Sequence, residues 1–189
     1  MIRVLLNPPL LFGQTWLSMP VMANICKGWA KSGGRQHFLV PTKASLARDA
    51  ITGGAVLLDK AIRDGGNWDL TYVLGHSQGS QVATEWLENN NDVDPSKLKF
   101  RLCGNPQRGK AFGAKGGVKW EGKPKGDTPN DTPYEVWDIA RQGDKFAQPT
   151  GTLMGDIIHM SYNNVDLDNI ESTKLSKTVV GNTTYYVVP

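Results

Sequence analysis

The chain has 189 residues, a length that suits one domain able to bury a core without metal or disulfide staples. Its 39% hydrophobic and 21% charged residues exclude wholesale disorder, and no run of about 18 apolar residues is present to span a membrane. With 21 basic against 18 acidic residues the net charge is +3, too mild to imply a nucleic-acid partner.

In chain order, Ile2–Leu6 is β-branched and apolar and meets Asn7-Pro8-Pro9, which predicts a buried strand ended by prolines. Those prolines also break the early apolar stretch, and no small-residue cleavage pattern follows, so no signal peptide is read. Met19–Ala30 suggests a short helix and His37–Val40 a second short strand. Apolar residues at helical spacing predict a helix over Leu46–Asp64, stopped by Gly65-Gly66, in which Gly53 and Gly54 are expected to pack close on a sheet.

Leu70–Leu74 is the clearest strand. It runs into Gly75-His76-Ser77-Gln78-Gly79, and a helix with Val82, Ala83, Trp86 and Leu87 on one face follows at once. Leu98–Cys103 is the next strand and closes at Gly104-Asn105-Pro106. Residues 107–133 lack a period and read as a long loop, a candidate lid. Tyr134–Ile139 is a further strand, and Thr178–Val188 is β-rich around a Gly-Asn turn. Strands alternating with helices predict an α/β, three-layer fold around a mainly parallel sheet, with the ligand crevice at the carboxyl ends of the strands.

The five residues from Gly75 to Gly79 fit G-x-S-x-G, a weak pattern alone but a specific one between a strand and a helix. The turn is so tight that side chains two residues either side of the serine would collide, and it lifts the serine oxygen to a helix N-terminus. The bland alternative is a turn of small residues with Ser77 as a helix cap.

A serine hydroxyl needs a base, and in this fold the partners follow in the order acid, then histidine. Of three histidines, His37 precedes the serine and His76 adjoins it, which leaves His159. The acid must lie between Ser77 and His159. Asp144, just past a strand, is preferred over Asp138 inside it, with Asp156 third. For the oxyanion, the backbone N–H of Gln78 is one donor; the second is sought in Phe12–Trp16, with Thr15 chosen because Pro8 and Pro9 have no N–H.

Two cysteines, Cys26 and Cys103, form no metal-ligand spacing, and two free thiols are the simpler reading over a disulfide. The lysines of the long loop, Lys110 to Lys125, are read as solvated before they are read as an anion contact. Trp16, Trp29 and Trp120 are candidates for an acyl or sugar groove, against the commoner role of core packing.

Val73–Ser80, Leu102–Gly109, Ala140–Asp144 and the ending Thr183–Pro189 together resemble the PE-PPE domain family, mycobacterial serine α/β-hydrolases related in fold to cutinases and phage Lysin B esterases. The resemblance is spread from about Leu70 onward. It implies a cutinase-like α/β-hydrolase fold and an esterase or lipase-like activity on acyl esters, with mycobacterial envelope lipids as a candidate substrate. It also implies no metal or organic cofactor, Ser77 as nucleophile, Asp144 as acid and His159 as base.

The chain lacks the long N-terminal region of the mycobacterial proteins, which suggests a free-standing version. With no signal peptide read, the product is expected to be cytoplasmic when made; small mycobacteriophage proteins share this look, which makes a phage origin and virion association candidates. The competing reading is a virion or tail structural protein that keeps the fold and uses its surface, with virion or homo-oligomer contacts in place of catalysis.

Overall fold

The computed structural model describes residues 1–9, 18–43, 45, 47–64, 66–108, 127–147 and 155–189, with the side chains of Ser18, Gly155 and Asp156 aside. Thr15 and the rest of Phe12–Trp16, the loop lysines from Lys110 to Lys125, Trp120 and the side chain of Asp156 therefore lie outside the described residues.

Seven strands form one sheet: β1 (Ile2–Asn7), β2 (Gln36–Leu39), β3 (Leu70–His76), β4 (Leu98–Cys103), β5 (Glu135–Arg141), β6 (Ser176–Val180) and β7 (Thr183–Val188). Their order is β2-β1-β3-β4-β5-β7-β6, and all pairs are parallel except the hairpin β6–β7. The β-rich ending is thus consumed inside the sheet, with β7 parallel to β5 and β6 at the edge.

The central parallel strands β1, β3, β4 and β5 carry buried apolar side chains on both faces, which alternate between two cores, while the edge strand β2 is partly exposed. One core gathers Leu5, Val73, Phe100, Leu102 and Val136 under helices α2 (Arg48–Arg63) and α3 (Gln78–Asn89). The other gathers Leu6, Leu74, Cys103 and Ile139 under α1 (Ser18–Gly28) and the C-terminal segment that carries Tyr162, Val165 and Leu167. Two short helices, α4 (Gly155–Met160) and α5 (Ile170–Thr173), complete the chain. Among the described residues no helix is long and apolar enough to cross a membrane.

Three local readings change. Helix α1 is not continuous: Ile25, Cys26 and Lys27 leave helical geometry, and Cys26 and Lys27 take φ of +53° and +55°. Gly54 is the close-packed glycine of α2, but its neighbours are Val82 of α3 and Thr42 rather than the sheet, while Gly53 meets nothing within 4 Å. Trp29 goes to the core, edge-on to Tyr72 at 4.9 Å between ring centres. The thiols of Cys26 and Cys103 are free and buried, with their sulfurs 3.6 Å apart.

Candidate active site

The parallel register brings the carboxyl ends of β1, β3, β4 and β5 to one edge: Asn7 pairs with Gly75, His76 with Cys103, and Cys103 with Ile139. The chain then turns sharply at Ser77, whose φ of +54° and ψ of −114° are strained for a residue with a Cβ. The Ser77 N–H donates to the Cys103 carbonyl at 3.0 Å, which pins the elbow to β4.

Both motif glycines are sterically required. A Cβ on Gly75 would sit 2.8 Å from the Gly79 carbonyl oxygen, and one on Gly79 would sit 2.0 Å from the Asn7 carbonyl oxygen. Gln78 opens α3, so its N–H is among those that no intrahelical carbonyl can satisfy. The Gln78 side chain donates to the Ser45 carbonyl at 2.6 Å, which steadies that end of the helix.

Asp144 stands three residues past β5, in a turn where Gly143 takes φ +86° and the Asp144 N–H returns to the Arg141 carbonyl. His159 lies in the last turn of α4. The fold brings the three side chains together. The Ser77 Oγ lies 2.8 Å from His159 Nε2, and His159 Nδ1 lies 3.0 Å from each carboxylate oxygen of Asp144. All three residues are buried.

Asp144 Oδ1 also accepts the N–H groups of Phe146 and Ala147. Burial works to raise the Asp144 pKa, but the bonds from His159, Tyr162 and the Phe146 N–H outweigh it and hold the group below its ordinary value. Phe146 packs on the His159 ring at 4.4 Å between centres.

Asp138 takes no part in this row. It is held inside β5 by Asn105, Thr128 and Arg108 at 2.9, 3.0 and 3.1 Å. His37 sits on the far edge strand β2.

Three neighbours of the row had no role in the sequence reading. Tyr162 donates its phenol hydrogen to Asp144 Oδ2 at 2.7 Å. His76 bonds the main-chain carbonyl of His159 at 2.8 Å. Gly104, at φ +57°, passes so close that a Cβ there would lie 3.2 Å from both Asp144 and His159 and 3.1 Å from Tyr162. For Tyr162 no local signal exists, because Ser161 leaves helical geometry between α4 and the turn that carries Tyr162. His76 and Tyr162 also border an apolar cavity of about 410 Å³ walled by Met22, Ile25 and Met160; Ser77 and Asp144 are not among its walls. Among the described residues no group of His, Cys, Asp or Glu side chains is clustered as a metal site would be.

A hydroxyl, an imidazole and a carboxylate in one hydrogen-bonded row at the top of a parallel sheet is an arrangement able to generate a serine alkoxide. Among solved structures, a cutinase-like protein from Cryptococcus sp. is similar at a TM-score of 0.54 and 16% identity, over 87% of this chain and 87% of that one. Lysin B from Mycobacteriophage D29 is similar at a TM-score of 0.44 and 16% identity, over 78% of this chain and 66% of that one. No curated protein matches. The sheet order, the elbow and the cutinase-like neighbour agree on an α/β-hydrolase fold. The PE-PPE domain matches residues 34–189, well over half of the length, and the chain belongs to the PE-PPE domain family.

Proposed function

We propose that this chain is a serine esterase that cleaves acyl esters through a covalent acyl-enzyme. Ser77 attacks the ester carbonyl as His159 Nε2 takes its proton. Asp144 holds Nδ1–H, which fixes the tautomer and stabilises the imidazolium. The Gln78 N–H, at the positive end of α3, receives the developing oxyanion. His159 returns the proton to the leaving alcohol, then activates the water that releases the acid.

The observation that carries this reading is the 2.8 Å contact from Ser77 Oγ to His159 Nε2, made by side chains 82 residues apart on a strained elbow. The conformation of Ser77, φ +54° with ψ −114°, is what sets its Oγ at the edge of the sheet within reach of that imidazole. The sequence resemblance to mycobacterial hydrolases extends the reading to lipid esters of the mycobacterial envelope.

The Ser77→Ala variant should keep its melting temperature and lose turnover of p-nitrophenyl acyl esters by several orders of magnitude, on the order of a million-fold. A fluorophosphonate probe should label the native protein at Ser77 and leave the variant unlabelled. Equal turnover by the two proteins would remove the assignment. Release of fatty acid from extracted mycobacterial lipids, followed by chromatography, tests the lipid substrate separately.

A further inference from the structure

The acid and the base sit on two different segments past the sheet edge, and each is gripped by a side chain that does not touch Ser77. On the acid side, Tyr162 Oη donates to Asp144 Oδ2 at 2.7 Å and accepts the Arg141 N–H at 2.9 Å. One phenol thus ties the carboxylate to the end of the strand that delivers it. On the base side, His76 Nε2 and the His159 carbonyl are 2.8 Å apart. A carbonyl cannot donate, so the proton is on His76 Nε2.

Burial, then repulsion from His159, lowers the His76 pKa to about 3. Its ring therefore stays neutral and donates to this one acceptor at any working pH. Burial and the neighbouring Asp144 push the Tyr162 phenol well up, so it too remains a donor. The two rings pack on each other at 5.2 Å between centres, and the His76 ring lies 5.3 Å from that of His159.

We propose that Tyr162 and His76 are a pair of positioning residues, Tyr162 orienting Asp144 through its carboxylate and His76 orienting His159 through its main chain. This rests on the reading of Ser77, His159 and Asp144 given above. The residue that precedes the nucleophile then locks the base, so elbow and base move as one unit.

The titratable and charged groups around the pair are Asp144, His159 and Cys103, with Lys145 over the Phe146 ring and the Arg141 guanidinium turned away onto Ser161 and Pro189. Of these, Asp144 is bonded to Tyr162 through its carboxylate and His159 to His76 through its main-chain carbonyl. Removing the phenol hydroxyl takes one donor from Asp144 and leaves the carboxylate charge less spread.

The test compares Tyr162→Phe, His76→Phe and His76→Gln with the native protein and Ser77→Ala, using p-nitrophenyl butyrate across pH and thermal melting as a fold control. Tyr162→Phe should lower kcat about tenfold, the worth of one charge-assisted hydrogen bond, and move the acid limb of kcat/KM to higher pH. His76→Phe should lower kcat with KM little changed and no movement of that limb. His76→Gln, which keeps an N–H at the same reach, should recover most of the loss.

If Ser77→Ala is dead while Tyr162→Phe and His76→Phe match the native kcat and pH profile, the esterase reading stands and the positioning role falls. If Gln at position 76 rescues nothing over Phe, the His76 half falls. If Ser77→Ala retains turnover, both fall together. Should Tyr162→Phe fail to fold, the His76→Phe and His76→Gln pair decides alone.

Discussion

Two carboxylates six residues apart, Asp138 and Asp144, are both wholly buried and end in opposite roles. Asp138 lies inside β5, and its oxygens accept from Arg108, Asn105 and Thr128, donors that never give up a proton near neutral pH. Arg108 reaches its main-chain carbonyl as well, at 2.8 Å. Asp144 lies past the strand, and one of its partners, His159, is a base that gains and loses a proton in the proposed reaction. The difference teaches that burial does not mark a reactive acid. The partner does, and a buried carboxylate closed off by permanent donors is a fastener for the turn it holds.

That contrast can be broken in three ways. The largest effect is expected at Asp144. Asp144→Asn keeps the shape but no longer holds the imidazole in its working tautomer, and turnover of p-nitrophenyl esters should fall by roughly three to four orders of magnitude with little change in melting temperature. A variant with near-native turnover would erase the distinction between the two carboxylates.

Next in size, Asp138→Ala leaves the buried Arg108 guanidinium without its carboxylate, at a cost of about 3–5 kcal/mol, or roughly 10 °C in melting temperature. The folded fraction should still take up fluorophosphonate at the native rate. Loss of labelling with the fold intact would show that Asp138 serves chemistry after all. Replacing Arg108 by Met in the same chain should return much of the stability, because both charges are then gone.

The smallest effect is in acid stability, and it separates the Asp144 side from the rest. His76 has a folded pKa of about 3 against an ordinary 6.5, so between those values the unfolded chain binds a proton that the native one refuses. Its stabilising contribution is full above about 6.5 and is lost as pH falls toward 3. Asp144, held below its ordinary value, adds stability present above the ordinary carboxylate range and lost as pH falls below it. Both signs agree, so melting temperature should drop from pH 7 to pH 4, and His76→Gln should flatten the upper part of that drop. A flat profile in the native protein would contradict the buried neutral imidazole.

Several features were readable from residues alone because their causes are local. Gly75 and Gly79 bracket Ser77 because backbone from Asn7 and Gly79 occupies the space a Cβ would need, and that demand is written in the motif. The strands of Ile2–Leu6, Leu70–Leu74 and Leu98–Cys103 show as short runs rich in apolar residues, interrupted by Arg3, Thr71, Lys99 and Arg101, because a central parallel strand packs apolar side chains on both faces. Elimination among three histidines pointed to His159, and the structure places its ring against Ser77.

Other features depend on groups distant in the chain. Nothing in Tyr162 announces its bond to Asp144, since a phenol in a short turn is equally at home in solvent or core until the third layer closes over it. Position relative to the strand separates Asp144 from Asp138 in one dimension, but the partners each carboxylate takes, from 105–108 and from 159–162, come only with the fold. The kink at Ile25–Lys27, the meeting of Cys26 with Cys103, and the packing of Gly54 on Val82 likewise belong to contacts between layers. Periodicity and steric demand act over a few residues, whereas a buried polar group takes its role from whichever donors the folded layers bring within about 3 Å.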